Sequence, residues 1–208
     1  MATSYQDKLR QGTQYLGATD SELAAVIANS DACTTRPHRN YYQALVGEII
    51  GQQLSVKAAA TIRRRFVALF GGSFPEPAAI LRKTVDELRA VGLSRPKGAY
   101  IRDLAGHILD GSVKFDHFNN LNNDEIIAEL TAVKGVGEWT AHMFLMFCMG
   151  RLDVLANGDL GIRHGVKSLY GFDHLPSPDE VKALAASKHW HPYETLACWY
   201  IWQSKDNK

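Results

Sequence analysis

Residues 124–130 read Asp124-Glu125-Ile126-Ile127-Ala128-Glu129-Leu130, and residues 133–141 read Val133-Lys134-Gly135-Val136-Gly137-Glu138-Trp139-Thr140-Ala141. The first spacing predicts an amphipathic helix with acidic residues in its opening turns, where the helix dipole favours them. The second predicts a tight turn into a helix that is apolar on nearly every side through Met149, and so buried. Gly135 and Gly137 let the backbone turn without Cβ clashes and approach another molecule closely. The amides that open the second helix would then point outward unpaired. Together with the positive end of the dipole, such amides bind phosphate. A Gly-x-Gly turn by itself also reads as a plain helical hairpin.

Outward from this hairpin, helix signals recur and strand signals are nearly absent. Thr19 with Glu22 reads as a capping box opening Ser21 to Asn29. Thr84 with Glu87 opens another helix that stops at Gly92, and Ser177 with Glu180 opens a third with Pro178 at its first position. Ser55 to Phe70 carries one apolar stripe beside Arg63, Arg64 and Arg65. Pro192 starts a last helix running to about Gln203. The first 15 or so residues look weakly specified. The expected architecture is all-α, with many short helices on short connections rather than a four-helix bundle.

Composition bounds the function. The chain has 208 residues, 46% hydrophobic and 22% charged, with a formal net charge of +1 from 23 basic and 22 acidic side chains. These values exclude wholesale disorder, collagen and a coiled-coil rod. No run of about 18 apolar residues exists, so a membrane span is not expected. A nearly neutral chain has no polycationic tail, yet a local basic face can still hold DNA. The three cysteines, Cys33, Cys148 and Cys198, are far apart and form no Cys-x-x-Cys pair. A disulfide framework, a zinc site and a four-cysteine iron–sulfur cluster all lack ligands, and a reducing compartment fits. No signal peptide is visible, so the expected location is cytoplasmic for a bacterial chain and nuclear for a eukaryotic one.

Downstream, Asn157-Gly158-Asp159-Leu160-Gly161-Ile162-Arg163 reads as a tight turn entering a helix. Taken alone, Asp159 is a turn or N-cap residue. A hairpin, a glycine-containing loop and an aspartate in this order resemble the helix-hairpin-helix (HhH-GPD) DNA glycosylase superfamily over residues 130–159. Three further segments resemble its alkylpurine branch, of DNA-3-methyladenine glycosylase II type. They are Ile49-Ile50-Gly51-Gln52-Gln53-Leu54-Ser55, Gly92-Leu93-Ser94-Arg95-Pro96-Lys97, and Trp190-His191-Pro192-Tyr193 followed by Ala197, Trp199, Tyr200 and Trp202. The resemblance spans about residues 20 to 204.

The resemblance implies two helical lobes with a cleft between them: lobe one about 41–150, with the hairpin at 124–149, and lobe two about 16–40 plus 159–208. It implies removal of alkylated purines from double-stranded DNA by a monomer that needs no cofactor. Asp159 would be the catalytic carboxylate, stabilising positive charge on the sugar as the C1′–N bond breaks and orienting the attacking water. Bifunctional members carry a lysine where Trp139 stands. An indole has no amine for a Schiff base, so strand cleavage is not expected, and its face attracts a cationic alkylpurine by about 0.5–2 kcal/mol.

Trp202 would line the same base pocket, with Met143 standing where a relative has an aromatic. Trp190 and Trp199 read as core. Gln53, or next Leu54, would wedge into the space left by the flipped base. Gly135, Gly137, Thr140, Arg163, Ser55, Arg95 and Lys97 would meet the DNA backbone, with His164, Lys167, Ser94 and Arg102 as further candidates. A monovalent cation (Na+ or K+) would sit on the carbonyls of Thr131, Val133 and Val136. Glu194 stands where a relative has arginine. Two competing readings are a noncatalytic hairpin module that only grips DNA, and a glycosylase for another damaged or mismatched base.

Overall fold

The computed structural model describes residues 4–38 and 40–206. Among them the chain forms twelve α-helices and no strand. In order they are α1 (Tyr5–Thr19), α2 (Ser21–Ala28), α3 (Tyr41–Gly51), α4 (Val56–Leu69), α5 (Pro77–Leu81), α6 (Val85–Ala90), α7 (Arg95–Leu109), α8 (Asn123–Thr131), α9 (Glu138–Met143), α10 (Leu160–Tyr170), α11 (Pro178–Ser187) and α12 (Glu194–Asp206). None of the described helices is long and apolar enough to cross a membrane. The chain divides into two compact units, one of Met1–Pro37 with Leu145–Lys208 and one of His38–Phe144.

The His38–Phe144 unit contains α3 to α9. Its core is built from the apolar faces the sequence patterning marks, with Leu45, Ile49, Phe66, Leu88, Ile101, Leu104, Ile126 and Leu130 fully buried. Phe144 meets Phe118 and Tyr41 edge-on, at ring separations of 6.1 and 5.6 Å. The caps are local and chemical. Thr84 and Glu87 close a reciprocal box at the start of α6, and Asn122 with Glu125 does the same for α8. Each such cap is worth about 1 kcal/mol. Arg102 reaches from α7 to the end of α5, where it donates to the carbonyls of Leu81 (2.9 Å) and Lys83.

The other unit contains α1, α2 and α10 to α12. Two sequence expectations are corrected here. The N-terminal stretch is not weakly specified: α1 has a capping box between Ser4 and Asp7, buries Leu9 and Leu16, and its Thr13 hydroxyl bonds Tyr200 Oη at 3.1 Å. Residues 1–3 of that stretch lie outside the described residues. The second helix is capped by Asp20, not Thr19. Asp20 Oδ1 accepts from the N–H groups of Glu22 and Leu23, whereas Thr19 ends α1 and donates to the Tyr15 carbonyl. Asp20 is 1% exposed, and its Oδ2 also accepts from Tyr170 Oη (2.7 Å) and Trp190 Nε1 (2.8 Å). One buried carboxylate therefore joins α2, α10 and the turn before α12. Burial, then the Asp20 carboxylate, pushes the Tyr170 phenol far up, so it stays a donor.

Candidate functional site

Asp159 is the N-cap of α10, as its place after Asn157-Gly158 predicts from sequence alone. Its Oδ1 accepts from the Ile162 N–H at 2.8 Å. The same oxygen accepts from Trp202 Nε1 at 3.0 Å, so α12 grips the carboxylate from the side. Trp202 is half-buried, its ring 6.0 Å from that of Phe147. Gly161 makes the pairing possible. A Cβ there would lie 2.8 Å from Asp159 Oδ1 and 3.0 Å from Trp202 Nε1. The structure thus joins two of the predicted residues, Asp159 and Trp202, through a glycine whose role the sequence does not signal. Trp190 is buried, as expected, while Trp199 is partly exposed with a buried indole N–H. Glu194 contacts His191 Nδ1 at 3.0 Å.

In the His38–Phe144 unit, α8 ends at Thr131 and α9 begins at Glu138. Between them the Val136 N–H donates to the Val133 carbonyl at 3.1 Å. Gly135 has a φ of +80°, and a Cβ on it would meet the Tyr100 ring at 2.1 Å. Only glycine fits, for a conformational and a steric reason together. Gly137 is the N-cap of α9 and supplies no side-chain cap, so the first amides of that helix have no side-chain acceptor from it. Thr140 and Met143 are buried, whereas Trp139 is 51% exposed. His142 faces Glu138 at 3.8 Å, and burial lowers its pKa despite that carboxylate.

The turn after α3 is tied to the hairpin. Gln52 Nε2 donates to the Gly135 carbonyl at 2.9 Å. This leaves Gln53 exposed at a φ of +57°, an uncommon conformation for a residue other than glycine. Leu54 is 39% and Val56 89% exposed beside it, and Ser55 caps α4 by accepting from the Ala58 N–H. A cavity of about 1100 Å³ lies in this unit, and Gln52, Gln53, Leu54, Gly135, Trp139 and Thr140 line it. Glu48 lines it too, a residue the sequence reading passed over. Its signal was available: it precedes Gln52 by four residues, on the same face of α3.

Several predicted phosphate ligands are occupied within the fold. Lys97 Nζ donates to the carbonyls of Ile50 (2.9 Å) and Gln52 (2.5 Å), capping the end of α3, and desolvation lowers its pKa. Arg163 Nε donates to the Pro176 carbonyl at 2.7 Å and Lys167 Nζ to that of Asp173 at 3.0 Å. Arg102 is committed to α5. Ser94 caps α7, accepting from the Lys97 N–H. Arg95 stays exposed, loosely paired with Asp86 at 3.5 Å, and His164 is exposed. Lys97 and Arg102 close helix ends, because a long basic side chain satisfies carbonyls that a helix cannot, whereas Arg163 and Lys167 brace the loop between α10 and α11.

The family model of HhH-GPD superfamily base excision DNA repair proteins matches residues 46–190. A DNA-3-methyladenine glycosidase from Bacillus halodurans superposes with a TM-score of 0.82 at 37% identity, over 93% of this chain and 88% of that one. DNA-3-methyladenine glycosylase 1 of Schizosaccharomyces pombe is 33% identical over 184 residues, covering 88% of this chain and 80% of the relative. The 3-methyladenine DNA glycosylase Mag1 of that yeast, solved in complex with abasic DNA, gives a TM-score of 0.74 at 29% identity, over 94% of this chain and 97% of that one.

Proposed function

This chain belongs to the HhH-GPD superfamily of base excision DNA repair proteins, and from that premise we propose that it is a monofunctional DNA glycosylase releasing alkylated purines of the 3-methyladenine and 7-methylguanine class. The observation that carries the reading is Trp139, an exposed indole opening α9 on a cavity wall, at the position where bifunctional members hold a lysine. The glycosylase relatives support the activity, and the abasic-DNA complex of the yeast enzyme supports a DNA duplex as the partner.

A base must leave the stack before its glycosidic bond is reached, at a cost of a few kcal/mol. Gln53, held proud of the α3–α4 turn, would fill the gap, with Leu54 beside it. An N3- or N7-alkylated purine is cationic, so an indole face attracts it and it leaves readily. As the bond breaks, positive charge develops on the sugar. The Asp159 carboxylate stabilises that charge and orients water, while Trp202 and the Ile162 amide hold its Oδ1 in place. The amides after Gly137, with Thr140, Ser55 and Arg95, would meet the DNA backbone. The carbonyls of Thr131, Val133 and Val136 fit a Na+ or K+ ion: they are hard oxygen donors, and that of Val133 keeps a second lone pair beyond its bond to Val136 N. Such an ion would supply positive charge for a phosphate. The chain would act as a monomer.

The test is base release from methylated duplex DNA by the wild type and by Asp159→Asn. Release by the wild type, lost in the variant while DNA binding persists, is the expected result. Binding without release by the wild type would instead favour a module that only grips DNA. Borohydride trapping of an enzyme–DNA adduct would overturn the monofunctional assignment.

A further inference from the structure

The hairpin between α8 and α9 is gripped from α7. The Val136 N–H donates to the Val133 carbonyl at 3.1 Å, Gly135 has a φ of +80° and Lys134 keeps a negative φ, which together make a type II turn. Asp103 Oδ2, past the middle of α7, accepts from the Lys134 N–H at 2.8 Å. One turn earlier on the same face of α7, the Tyr100 ring packs under Gly135. From the other side, Gln52 Nε2 donates to the Gly135 carbonyl at 2.9 Å. The two hydrogen bonds therefore hold the peptide groups on either side of the Lys134–Gly135 peptide, the one that turns over between type I and type II turns.

We propose that Asp103 is a positioning residue for DNA binding: it fixes the hairpin turn in the form that meets the DNA backbone, and acts through the Lys134 main chain rather than by touching DNA. This role rests on the DNA-repair reading above.

The geometry separates positioning from a plain surface ion pair. Lys134 Nζ lies 3.6 Å from Asp103 Oδ1, and His107 Nε2 lies 3.5 Å from Oδ2, so both charged contacts are loose beside the main-chain bond. The Asp103 side chain is 21% exposed and that of Lys134 78%, so the ammonium stands in solvent while the carboxylate is turned to the backbone. An exposed pair of this kind adds little stability. The main-chain bond also lies at the surface, where a released N–H finds water, so its larger consequence is the shape of the turn. Charge and position then predict opposite results. A carboxylate beside a surface that receives phosphate opposes binding by Coulomb repulsion, so charge alone makes every neutral replacement bind DNA more tightly. Position makes binding depend on whether the replacement still offers an acceptor.

The experiment compares Asp103→Asn with Asp103→Ala. Both remove the charge, and only asparagine keeps an oxygen for the Lys134 N–H. Affinity is read by fluorescence anisotropy on a duplex carrying a tetrahydrofuran abasic-site analogue. Single-turnover release of 7-methylguanine is read at saturating protein, and amide exchange over residues 131–138 reports the turn itself. Asp103→Ala should bind about five- to tenfold more weakly than Asp103→Asn. Its saturated release rate should stay within about twofold of the wild type, and exchange of the hairpin amides should quicken in Asp103→Ala alone. Equal affinities for the two variants would make Asp103 a plain surface anion and overturn the proposal. A saturated rate that falls as far as the affinity would mark general disruption and also overturn it, as would hairpin exchange that is the same in both variants. If Asp103→Ala fails to fold, Asp103→Leu, close in size and favourable in a helix, takes its place in the same comparison. A wild type that binds the duplex without releasing 7-methylguanine overturns the glycosylase reading alone, because the affinities still decide the role of Asp103. A wild type that binds no duplex overturns both.

Discussion

The indole N–H of Trp202 donates to Asp159 Oδ1 over 3.0 Å, and Gly161 leaves the space in which they meet. Asp159 is therefore both helix cap and proposed catalytic carboxylate, and the two roles separate by substitution. Asparagine caps a helix about as well as aspartate, and its amide oxygen still accepts from Trp202. Asp159→Asn should keep the thermal midpoint within a few degrees while base release falls by several orders of magnitude. Gly161→Ala should improve helix propensity yet displace the carboxylate. Its expected signature is unchanged or higher stability with release slowed about tenfold to 100-fold, read by single-turnover kinetics beside a melt.

Gly135 is constrained twice, by its φ of +80° and by the Tyr100 ring. Gly135→Ala should lower stability by about 2 kcal/mol or more, of which the left-handed conformation accounts for about 1–2. A double-mutant cycle with Tyr100→Ala divides the cost. The steric share should vanish in the double variant and the conformational share should remain. Full additivity by chemical denaturation would show that the ring is not the obstacle.

These two glycines mark how far the sequence was legible. Helix positions were readable wherever a cap and a period-3.6 stripe coincided, as at Thr84–Glu87 and Ser177–Glu180, because both signals are local. The Asp20 cap was missed because Thr19 imitates the capping-box spacing. Asp20 is a good cap residue in its own right, but its burial against Tyr170 and Trp190, which are 150 and 170 residues away in sequence, has no local signal. Gly161 escaped for the same reason: it matters for what a distant helix brings beside it. The basic residues misled in the opposite direction. Lys97, Arg102 and Arg163 look like solvent-facing cations in sequence, yet each satisfies carbonyls within its own unit.

Asp20 accepts four hydrogen bonds with 1% of its surface exposed. Asp20→Ala would strand the Tyr170 hydroxyl and the Trp190 N–H, at about 1–3 kcal/mol each. The expected loss is about 3 kcal/mol or more, measured by urea denaturation, and Asp20→Asn should lose less. A variant as stable as the wild type would show that the network is dispensable.

Acid should weaken the helix caps in a defined window. The carboxyls of Glu87 and Glu180 are both held down to about 2 from 4.5, first by the backbone N–H groups of Thr84 and Ser177. A lowered folded-state pKa contributes stability that is present above the unfolded value and lost as pH falls toward the folded one. The thermal midpoint should therefore drop between about pH 4.5 and 2, and Glu87→Gln with Glu180→Gln should shrink that drop. An unaltered acid limb in the double variant would assign the loss to other carboxyls.

Lys97 offers a direct contrast between a DNA ligand and a structural brace. Its ammonium is bonded to the Ile50 and Gln52 carbonyls, at the turn that presents Gln53. A phosphate ligand, once removed, lowers the slope of log affinity against log salt by about 1. A brace, once removed, leaves that slope alone while the turn loosens and the thermal midpoint falls. Lys97→Ala should therefore keep the salt slope, lower the midpoint, and slow base release through a misplaced Gln53. Fluorescence anisotropy across a salt series gives the slope. A slope reduced by about one unit at unchanged stability would return Lys97 to the DNA interface.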